Sequence, residues 1–265
     1  MSVRPVVLSI AGSDSGGGAG IQADLKTFGA FGCYGATAIT AVTAQDTTGV
    51  HGVHVLPADF VAAQIGAVAT DLAVAATKTG MLADTAIVLA VAAAVERHRL
   101  APLVVDPVMV AASGDPLLER EAVTAVREHL LPLATLVTPN LDEAEQLVGG
   151  TVRTVGQMRE AAEALGHLGP RAVLLKGGHL PGDPVDVLWE AGAITEYAAA
   201  RIATARPFHG TGCTLSAAVA CGLALGQPVE EAIQRARAYL LAALADAPAV
   251  GHGARPADHL VRLPD

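Results

Sequence analysis

The chain has 265 residues, of which 52% are hydrophobic, 16% charged and only 3% aromatic. This composition argues against a disordered chain and suits helices that cover strands buried on both faces. The formal net charge of −9 argues against nucleic-acid and anionic-membrane partners, because both normally require a basic surface. The length is compatible with one hydrophobic core, so we expect a single domain over residues 1–265.

Short apolar strands alternate with amphipathic helices along the chain. The predicted strands are 6–10, 36–42, 75–78, 103–106, 136–138 and 172–176. The predicted helices, several of them introduced by Asp, Pro or Asn caps, are 21–28, 60–68, 85–97, 119–131, 141–148 and 156–165. This alternation predicts an α/β fold with a central, mostly parallel sheet, helices on both faces and ligands at the carboxyl ends of the strands.

Two segments depart from the alternation. Residues 185–189 and 194–197, joined by Ala191-Gly192-Ala193, predict a hairpin at an edge of the sheet. The uncharged apolar run 86–95 is shorter than the roughly 18 residues that span a bilayer. We therefore expect no membrane segment.

The number and spacing of the cysteines bear on the cellular compartment of the protein. Cys33, Cys213 and Cys221 are odd in number and lack CxxC spacing. A reducing cytoplasm is the location that this pattern favours.

The first glycine-rich loop covers residues 11–20. It lacks both the GxxxxGK[ST] pattern and an intact GxGxxG pattern. Asp14 and Asp24 would repel a polyphosphate, whereas carboxylates and glycine amides suit a neutral ligand with hydroxyl or amino donors. We assign this loop to the phosphate acceptor; the alternative is a surface turn with a helix cap near Ser15.

Charged and amide side chains follow three of the later strands. Asp106, Asn140 with Glu143, and Lys176 all fall at predicted strand ends. Asp106 and Glu143 suit Mg²⁺, directly or through water, and Lys176 suits the charge of a transferred phosphoryl group. The alternatives are a turn at Asp106, a capping box made by Asn140 and Glu143, and a solvated strand end at Lys176.

A second glycine turn, Gly210-Thr211-Gly212-Cys213-Thr214, opens the apolar run 215–225. Its amides should lie at the start of a helix, where unpaired donors and the helix dipole bind anions. A thiol in the same turn is expected to ionise more easily than a free one, so Cys213 is a candidate base. Packing of a small buried Cys is the alternative.

Eight different short motifs are distributed over nearly the whole chain, from about residue 5 to the last helix. They are IAGSDSGGGAGIQAD at 10–24, VTAQDT at 42–47, KTGML at 78–82, VDPVM at 105–109, SGDPLL at 113–118, TPN at 138–140, LKGGH at 175–179 and HGTGCT at 209–214. Together they resemble those of the bacterial hydroxymethylpyrimidine/phosphomethylpyrimidine kinases, which belong to the ribokinase-like superfamily. The resemblance implies a homodimeric kinase of thiamine biosynthesis. It would use ATP and Mg²⁺ to phosphorylate 4-amino-5-hydroxymethyl-2-methylpyrimidine and then its monophosphate.

The resemblance also assigns roles to residues. It places the pyrimidine against Gln45, with help from Gly12, Val42, Met81 and Val108 and a weaker contribution from Asp24. It places Cys213 where related sugar kinases carry an Asp base, beside the anion-binding amides of Gly210, Thr211 and Gly212. Lys176 would stabilise the transferring group, and the ATP phosphates and Mg²⁺ would lie near Asp106, Asn140, Glu143 and Thr211.

Two other functions stay open. One is a pyridoxal or pyridoxine kinase, and the other is a pyrimidine-binding module without catalysis. The chain departs from the family at Pro207-Phe208, where many members have Asn-Thr, at Ala112, where many have Lys, and at Asp46, where Asn is frequent. His179 and His209 flank the expected phosphate residues and are candidates for orienting loops.

Overall fold

A computed structural model describes residues 4–111, 114–115 and 117–263. The strands are β1 Val6–Asp14, β2 Tyr34–Gln45, β3 Val50–Val55, β4 Val74–Thr79, β5 Leu103–Val105, β6 Leu136–Val137, β7 Ala172–Leu175, β8 Val185–Glu190, β9 Ala193–Ala198, β10 Phe208–His209 and β11 Arg255–Pro256. The helices are α1 Gly20–Ala30, α2 Ala58–Asp71, α3 Thr85–His98, α4 Ala122–Ala125, α5 Leu141–Val148, α6 Val155–Gly166, α7 Thr211–Ala224 and α8 Val229–Ala245.

The main sheet of these described residues has nine strands in the order β3-β2-β1-β4-β5-β6-β7-β8-β9. The strands from β2 to β7 in this order are parallel, while β3 at one edge and the β8–β9 hairpin at the other are antiparallel. The predicted mostly parallel sheet and the edge hairpin are confirmed. The carboxyl ends of β1, β4, β5, β6 and β7 therefore lie along one edge.

The two faces of the sheet carry separate hydrophobic cores. Leu8 and Ile10 of β1 pack with residues of α2, α3, α5 and α6, whereas Val7 packs with residues of α1, α7 and α8. Successive side chains of a strand point to opposite faces, so the uninterrupted apolar strands supply both cores. The predicted helices on both faces are confirmed.

One predicted helix differs from the structure, and strands β3, β10 and β11 were not predicted. The helix expected over 119–131 begins at Ala122 and continues through a π-helical turn, Val126–Leu130, and a 3-10 turn, Leu131–Leu133. Pro132 lies in that last turn and has no amide hydrogen to extend an α-helix. Strand β3 was not predicted, because all but its first residue are exposed and it has no buried face to produce an alternating pattern.

Within the described residues, no helix combines the length and apolar character that a membrane crossing requires. The run 86–95 forms most of α3, and its residues Ile87, Val88 and Val91 are fully buried in the core.

Candidate active site

The amino-terminal end of α7 packs directly on the first glycine loop. Gly210 has a left-handed φ of 75°, and a Cβ at this position would lie 1.8 Å from the carbonyl oxygen of Gly18. Only glycine satisfies both conditions. The helix begins at Thr211, close to the predicted start, and has no side-chain cap. Its first amides therefore lack a side-chain partner, which is the condition for binding an anion.

A buried charged cluster lies beneath this helix start. The Lys176 ammonium is 3.0 Å from Oδ1 of Asp106 and 4.0 Å from Oε2 of Glu143. A Cβ on Gly212 would lie 3.1 Å from Lys176 Nζ and 3.5 Å from Asp106 Oδ2. Asp106 and Lys176, which follow β5 and β7, therefore lie against the first turn of α7, and Glu143 of α5 is the other partner of Lys176.

The ionisation of this cluster follows from its burial and its ion pairs. Burial raises the pKa of Asp106, but Lys176 and Lys78 and hydrogen bonds from Lys176 and Ser216 outweigh it and lower the pKa. Burial raises the pKa of Glu143 to about 7, although Lys176 opposes the shift. The carboxylates hold the pKa of Lys176 above its usual value despite burial. Near neutral pH the cluster contains one firm ion pair and a second carboxyl group that takes up a proton readily.

Asn140 and Glu143 form a capping box, which the sequence analysis gave as the alternative to ligand binding by these residues. Asn140 Oδ1 accepts the amide of Glu143 at 2.9 Å, and Glu143 Oε2 accepts the amide of Asn140 at 2.7 Å. The Lys176 amide donates to Pro139 at 2.8 Å, which ties the end of β7 to this cap. The cap therefore fixes Glu143 beside Lys176, and capping and ligand binding are compatible roles.

The acidity expected of Cys213 is wrong for this structure. Burial raises the pKa of its thiol to about 11; Lys78 and the Gly20 amide lower the pKa, while Asp24 and Asp106 raise it. Desolvation of the thiolate thus outweighs the charge of Lys78 and the Gly20 amide. The thiol is nevertheless in the expected place, because its contact with the Gly20 amide joins α7 to the first loop.

The first loop is organised by Asp14. Its carboxylate accepts the amides of Gly16, Gly18 and Ala19 at 2.8, 3.0 and 2.8 Å. Its Oδ2 also lies 3.0 Å from His209 Nε2. Burial raises the pKa of Asp14, but the hydrogen bonds from His209 and the loop amides outweigh it and lower the pKa. The loop amides are therefore used internally.

All the predicted substrate residues except Asp24 lie near the first loop, His209 or Asp106. Gln45 lies 3.3 Å from His209 through its Nε2, and a Cβ on Gly12 would lie 3.0 Å from Met81 Sδ. Val42 is paired with Ser13 of the loop strand, and the Val108 amide donates to the Asp106 carbonyl at 2.8 Å. Gly12, Met81 and Val42 therefore lie at the first loop, Gln45 lies beside His209, and Val108 lies beside Asp106.

Asp24 is the exception. Its side chain and that of Lys78 are both 0% exposed, and its carboxylate accepts from Lys78 at 2.9 and 3.0 Å and from Ser9 at 2.5 Å. Asp24 is therefore a buried structural partner, and the expectation that it contacts the substrate is corrected.

Sequence reasoning missed several members of this site. Thr138 donates to Asp106 Oδ1 at 3.2 Å, and Ser216 donates to Asp106 Oδ2 at 3.1 Å. Ser216 had a usable signal, because it is a hydroxyl residue within the apolar run 215–225. Lys78 also had one, since a charged residue within a buried strand needs a partner. The departure at Ala112 lies outside the described residues, as do Ser113 and Pro116 of the neighbouring motif.

Comparison with known proteins identifies the family. The family model of phosphomethylpyrimidine kinase matches residues 14–258. The chain belongs to the phosphomethylpyrimidine kinase family. It is therefore a kinase, and its ribokinase-like α/β fold is the one predicted from the sequence.

Curated relatives match this kinase over most of its length. A hydroxymethylpyrimidine/phosphomethylpyrimidine kinase of Rhizobium meliloti is 51% identical over 97% of both chains. One of Streptomyces coelicolor is 49% identical over 96% of this chain and 94% of its own. The thiamine biosynthesis bifunctional protein ThiED of Geobacter sulfurreducens is 49% identical over 99% of this chain, which spans only 54% of that longer protein.

Solved structures share the fold. Pyridoxal kinase of Bacillus subtilis, in an ADP complex, superposes with a TM-score of 0.91 at 40% identity, covering 97% of this chain and 98% of its own. Phosphomethylpyrimidine kinase of Clostridium difficile superposes with a TM-score of 0.81 at 42% identity, covering 91% of this chain and all of its own.

Proposed function

We propose that this kinase phosphorylates 4-amino-5-hydroxymethyl-2-methylpyrimidine with Mg-ATP and then phosphorylates the monophosphate to the diphosphate, as a step of thiamine biosynthesis. The names of the full-length relatives support this substrate class. One structural observation carries the proposal. The uncapped start of α7, the Lys176–Asp106 pair and the Cys213 thiol converge beside the Gln45 side of the first loop.

The arrangement suits in-line transfer. The substrate hydroxyl oxygen attacks the γ-phosphorus of ATP, the bond to the β–γ bridging oxygen breaks, and ADP leaves with that electron pair. The thiolate form of Cys213 accepts the hydroxyl proton and becomes the neutral thiol, and the amides of Gly210, Thr211 and Gly212 at the start of α7 receive the developing charge. Lys176 lies where it neutralises the transferred group.

ATP is supported as the donor by solved relatives, since pyridoxal kinase of Staphylococcus aureus was determined with AMP-PCP and with ADP. Asp106, Asn140, Glu143, Lys176 and Thr211 are the residues that we assign to its phosphates.

The donor set also fits Mg²⁺ held through water. Asp106 and Glu143 present two carboxyl groups to one ammonium, but the Asp106 oxygens already accept from Lys176, Thr138 and Ser216. Mg²⁺ usually keeps several waters and takes one or two carboxylates with phosphate oxygens. When bound, it would neutralise charge on the phosphates of ATP.

The substrate residues are assigned from the space around the first loop. Gln45 offers both a donor and an acceptor, which suits the amine and ring nitrogen of an aminopyrimidine. We assign Gly12, Met81, Val42 and Val108 to the same pocket; Met81 is 8% exposed and Val42 is 45% exposed.

The second candidate is a pyridoxal or pyridoxine kinase. It is favoured by the TM-score of 0.91 with the Bacillus enzyme. Sequence identity favours the pyrimidine enzymes, at 49% and 51% against 40%. A binding module without catalysis is disfavoured because both Lys176 and Cys213 are present at the site.

A coupled ADP assay with three acceptors tests the proposal. The pyrimidine alcohol, its monophosphate and pyridoxine are each supplied with Mg-ATP, and reactions without acceptor measure ATP hydrolysis. We expect ADP release with the first two acceptors at a higher kcat/KM than with pyridoxine. Turnover of pyridoxine alone would favour the second candidate, and tight pyrimidine binding without ADP release would favour the binding module.

Three broader assignments accompany the proposal. The two cores share one sheet, which supports a single kinase domain over 1–265. The free cysteines support a cytoplasmic location.

A homodimer is supported by the edge strand β3, whose Val53 and Val55 are exposed, as is Phe60 of α2. Sedimentation of Val53→Lys against the unmodified chain tests it, and equal masses at one monomer would contradict it.

A further inference from the structure

The side chain of Gln45 lies between two groups that constrain it. Its Nε2 is 3.3 Å from Nε2 of His209, and its Oε1 is 3.0 Å from Oγ1 of Thr43. His209 is in turn 3.0 Å from Asp14 Oδ2, and Thr43 Oγ1 is 3.0 Å from the Ser13 carbonyl oxygen. The amide is therefore the middle member of a chain that runs from Asp14 to Ser13.

The contact with Asp14 fixes the state of His209. The His209 side chain is 11% exposed and that of Asp14 is 3% exposed, so water screens this contact little. Asp14 is ionised, because hydrogen bonds from His209 and the loop amides outweigh the effect of burial and lower its pKa. A carboxylate oxygen only accepts, so Nε2 of His209 carries the hydrogen. An N–H of Gln45 then has no acceptor at that nitrogen.

A second conflict lies at Thr43. Its hydroxyl has one hydrogen, yet it faces two oxygens at 3.0 Å, the Ser13 carbonyl and Gln45 Oε1. Only one of these oxygens can receive the hydrogen at a time. Thr43 is 5% exposed, whereas Ser13 and Gln45 are half-buried, so the oxygen that does not receive this hydrogen must take one from another donor.

One rotation removes both conflicts. The oxygen and nitrogen of an amide are nearly indistinguishable in shape, and their assignment follows from the hydrogen bonds around them. With the amide turned by half a rotation, its oxygen faces the Nε2 hydrogen of His209 and shares it with Asp14 Oδ2, while its NH₂ donates to Thr43, whose hydroxyl donates to Ser13. No donor of the chain then faces another donor, and the Thr43 hydroxyl no longer faces two acceptors.

We propose that His209 and Thr43 are positioning residues that hold the Gln45 amide with its oxygen toward His209 and its nitrogen toward Thr43. One lone pair and one N–H of the amide remain for a ligand, in a fixed order. An aminopyrimidine edge, with one donor and one acceptor side by side, matches this order in a single orientation. The inference rests on the proposed function for the identity of the ligand, but the amide orientation does not.

Substitutions at Thr43 provide a matched pair. Thr43→Val keeps the shape and removes the hydroxyl, whereas Thr43→Ser keeps the hydroxyl. We expect Thr43→Val to raise KM for the pyrimidine alcohol about fivefold to tenfold, the usual effect of losing one buried hydrogen bond, with little change in kcat. Thr43→Ser should stay near wild type, and KM for pyridoxine, which has no exocyclic amine, should change less.

A double-mutant cycle separates positioning from a structural effect. If Thr43 acts through the amide, Thr43→Val should cause no further loss of pyrimidine affinity in a Gln45→Ala background, measured by titration calorimetry. For His209, His209→Gln keeps a donor near the same position and should bind more tightly than His209→Met. Equal losses from Thr43→Val in both backgrounds, or a loss confined to kcat, would overturn the proposal.

A measurement on the unmodified enzyme completes the test. The ¹⁵N chemical shifts of the His209 ring should show hydrogen on Nε2 in the ligand-free protein at about pH 7.5. An unprotonated Nε2 would overturn the inference even if the pyrimidine alcohol is a good substrate. A protonated Nε2 in an enzyme that phosphorylates only pyridoxine would refute the proposed function and leave the amide orientation standing.

Discussion

Replacing Cys213 with Ala should separate the two phosphorylation steps. In the first step the acceptor is an alcohol that must lose a proton, and a positioned base typically contributes roughly 10²–10⁴ in rate. In the second step the acceptor is a phosphate monoester with a second pKa of about 6, so its oxygen is already ionised. We therefore expect kcat for the alcohol to fall by about that factor and kcat for the monophosphate to change by less than about tenfold.

The raised pKa of Cys213 adds a pH dependence to this prediction. With a thiol pKa of about 11 in the ligand-free chain, on the order of one molecule in three thousand carries the thiolate at pH 7.5. The base form is the deprotonated one, so turnover of the alcohol should rise with pH from 7 upward. The slope should approach about tenfold per pH unit if ligands leave that pKa unchanged. Cys213→Ala should remove this rise.

The assay is the initial rate of ADP release with saturating Mg-ATP, measured with each acceptor between about pH 7 and pH 10. Cys221→Ala is the matched control, because it removes another thiol of α7, one that is fully buried in the core. Its ratio of first-step to second-step rates should equal that of the wild type. An equal loss of both steps in Cys213→Ala, or a loss in neither, would refute the role of base.

Three further outcomes are expected. Lys176→Met should lower kcat by roughly 10²–10³ with an unchanged circular dichroism spectrum; wild-type kcat would contradict its role. Lys78→Met leaves Asp24 buried without its partner and should lower the unfolding free energy by about 3–5 kcal/mol. The control Lys26→Met, at an exposed site, should lower it little. Equal urea midpoints of the two variants would be inconsistent with this prediction. Burial lowers the pKa of His259 to about 4, below its unfolded value, so unfolding free energy should fall as pH drops from about 6.5 to 4. The fall should be smaller in His259→Gln, and identical pH profiles would contradict this assignment.

The meeting of Asp106 and Lys176 could be predicted from sequence. Both residues follow short apolar runs, and the carboxyl ends of parallel strands share one edge of a sheet. The start of α7 was also predictable, because glycine spacing before an apolar run marks a helix start with free amides. The boundaries of α5 were predicted without error, since Asn140 and Glu143 carry a recognisable capping pattern.

The remaining features depend on contacts between distant residues. Asp24 is buried because Lys78, 54 positions away, neutralises it, and nothing local to Asp24 shows this. The pKa of Cys213 depends on burial by the surrounding structure as well as on its position in a helix. Strand β3 has almost no buried residues, so its sequence lacks the pattern that identifies strands.

The central claim is that this site transfers two phosphoryl groups in succession to one pyrimidine. Phosphorus NMR of the unmodified enzyme with Mg-ATP and the pyrimidine alcohol tests it most directly, because each product has its own resonances. We predict that a monophosphate signal appears first and is then replaced by the signals of a diphosphate, as ATP is converted to ADP. Conversion of ATP to ADP and free phosphate alone, with no phosphorylated pyrimidine, would contradict the account.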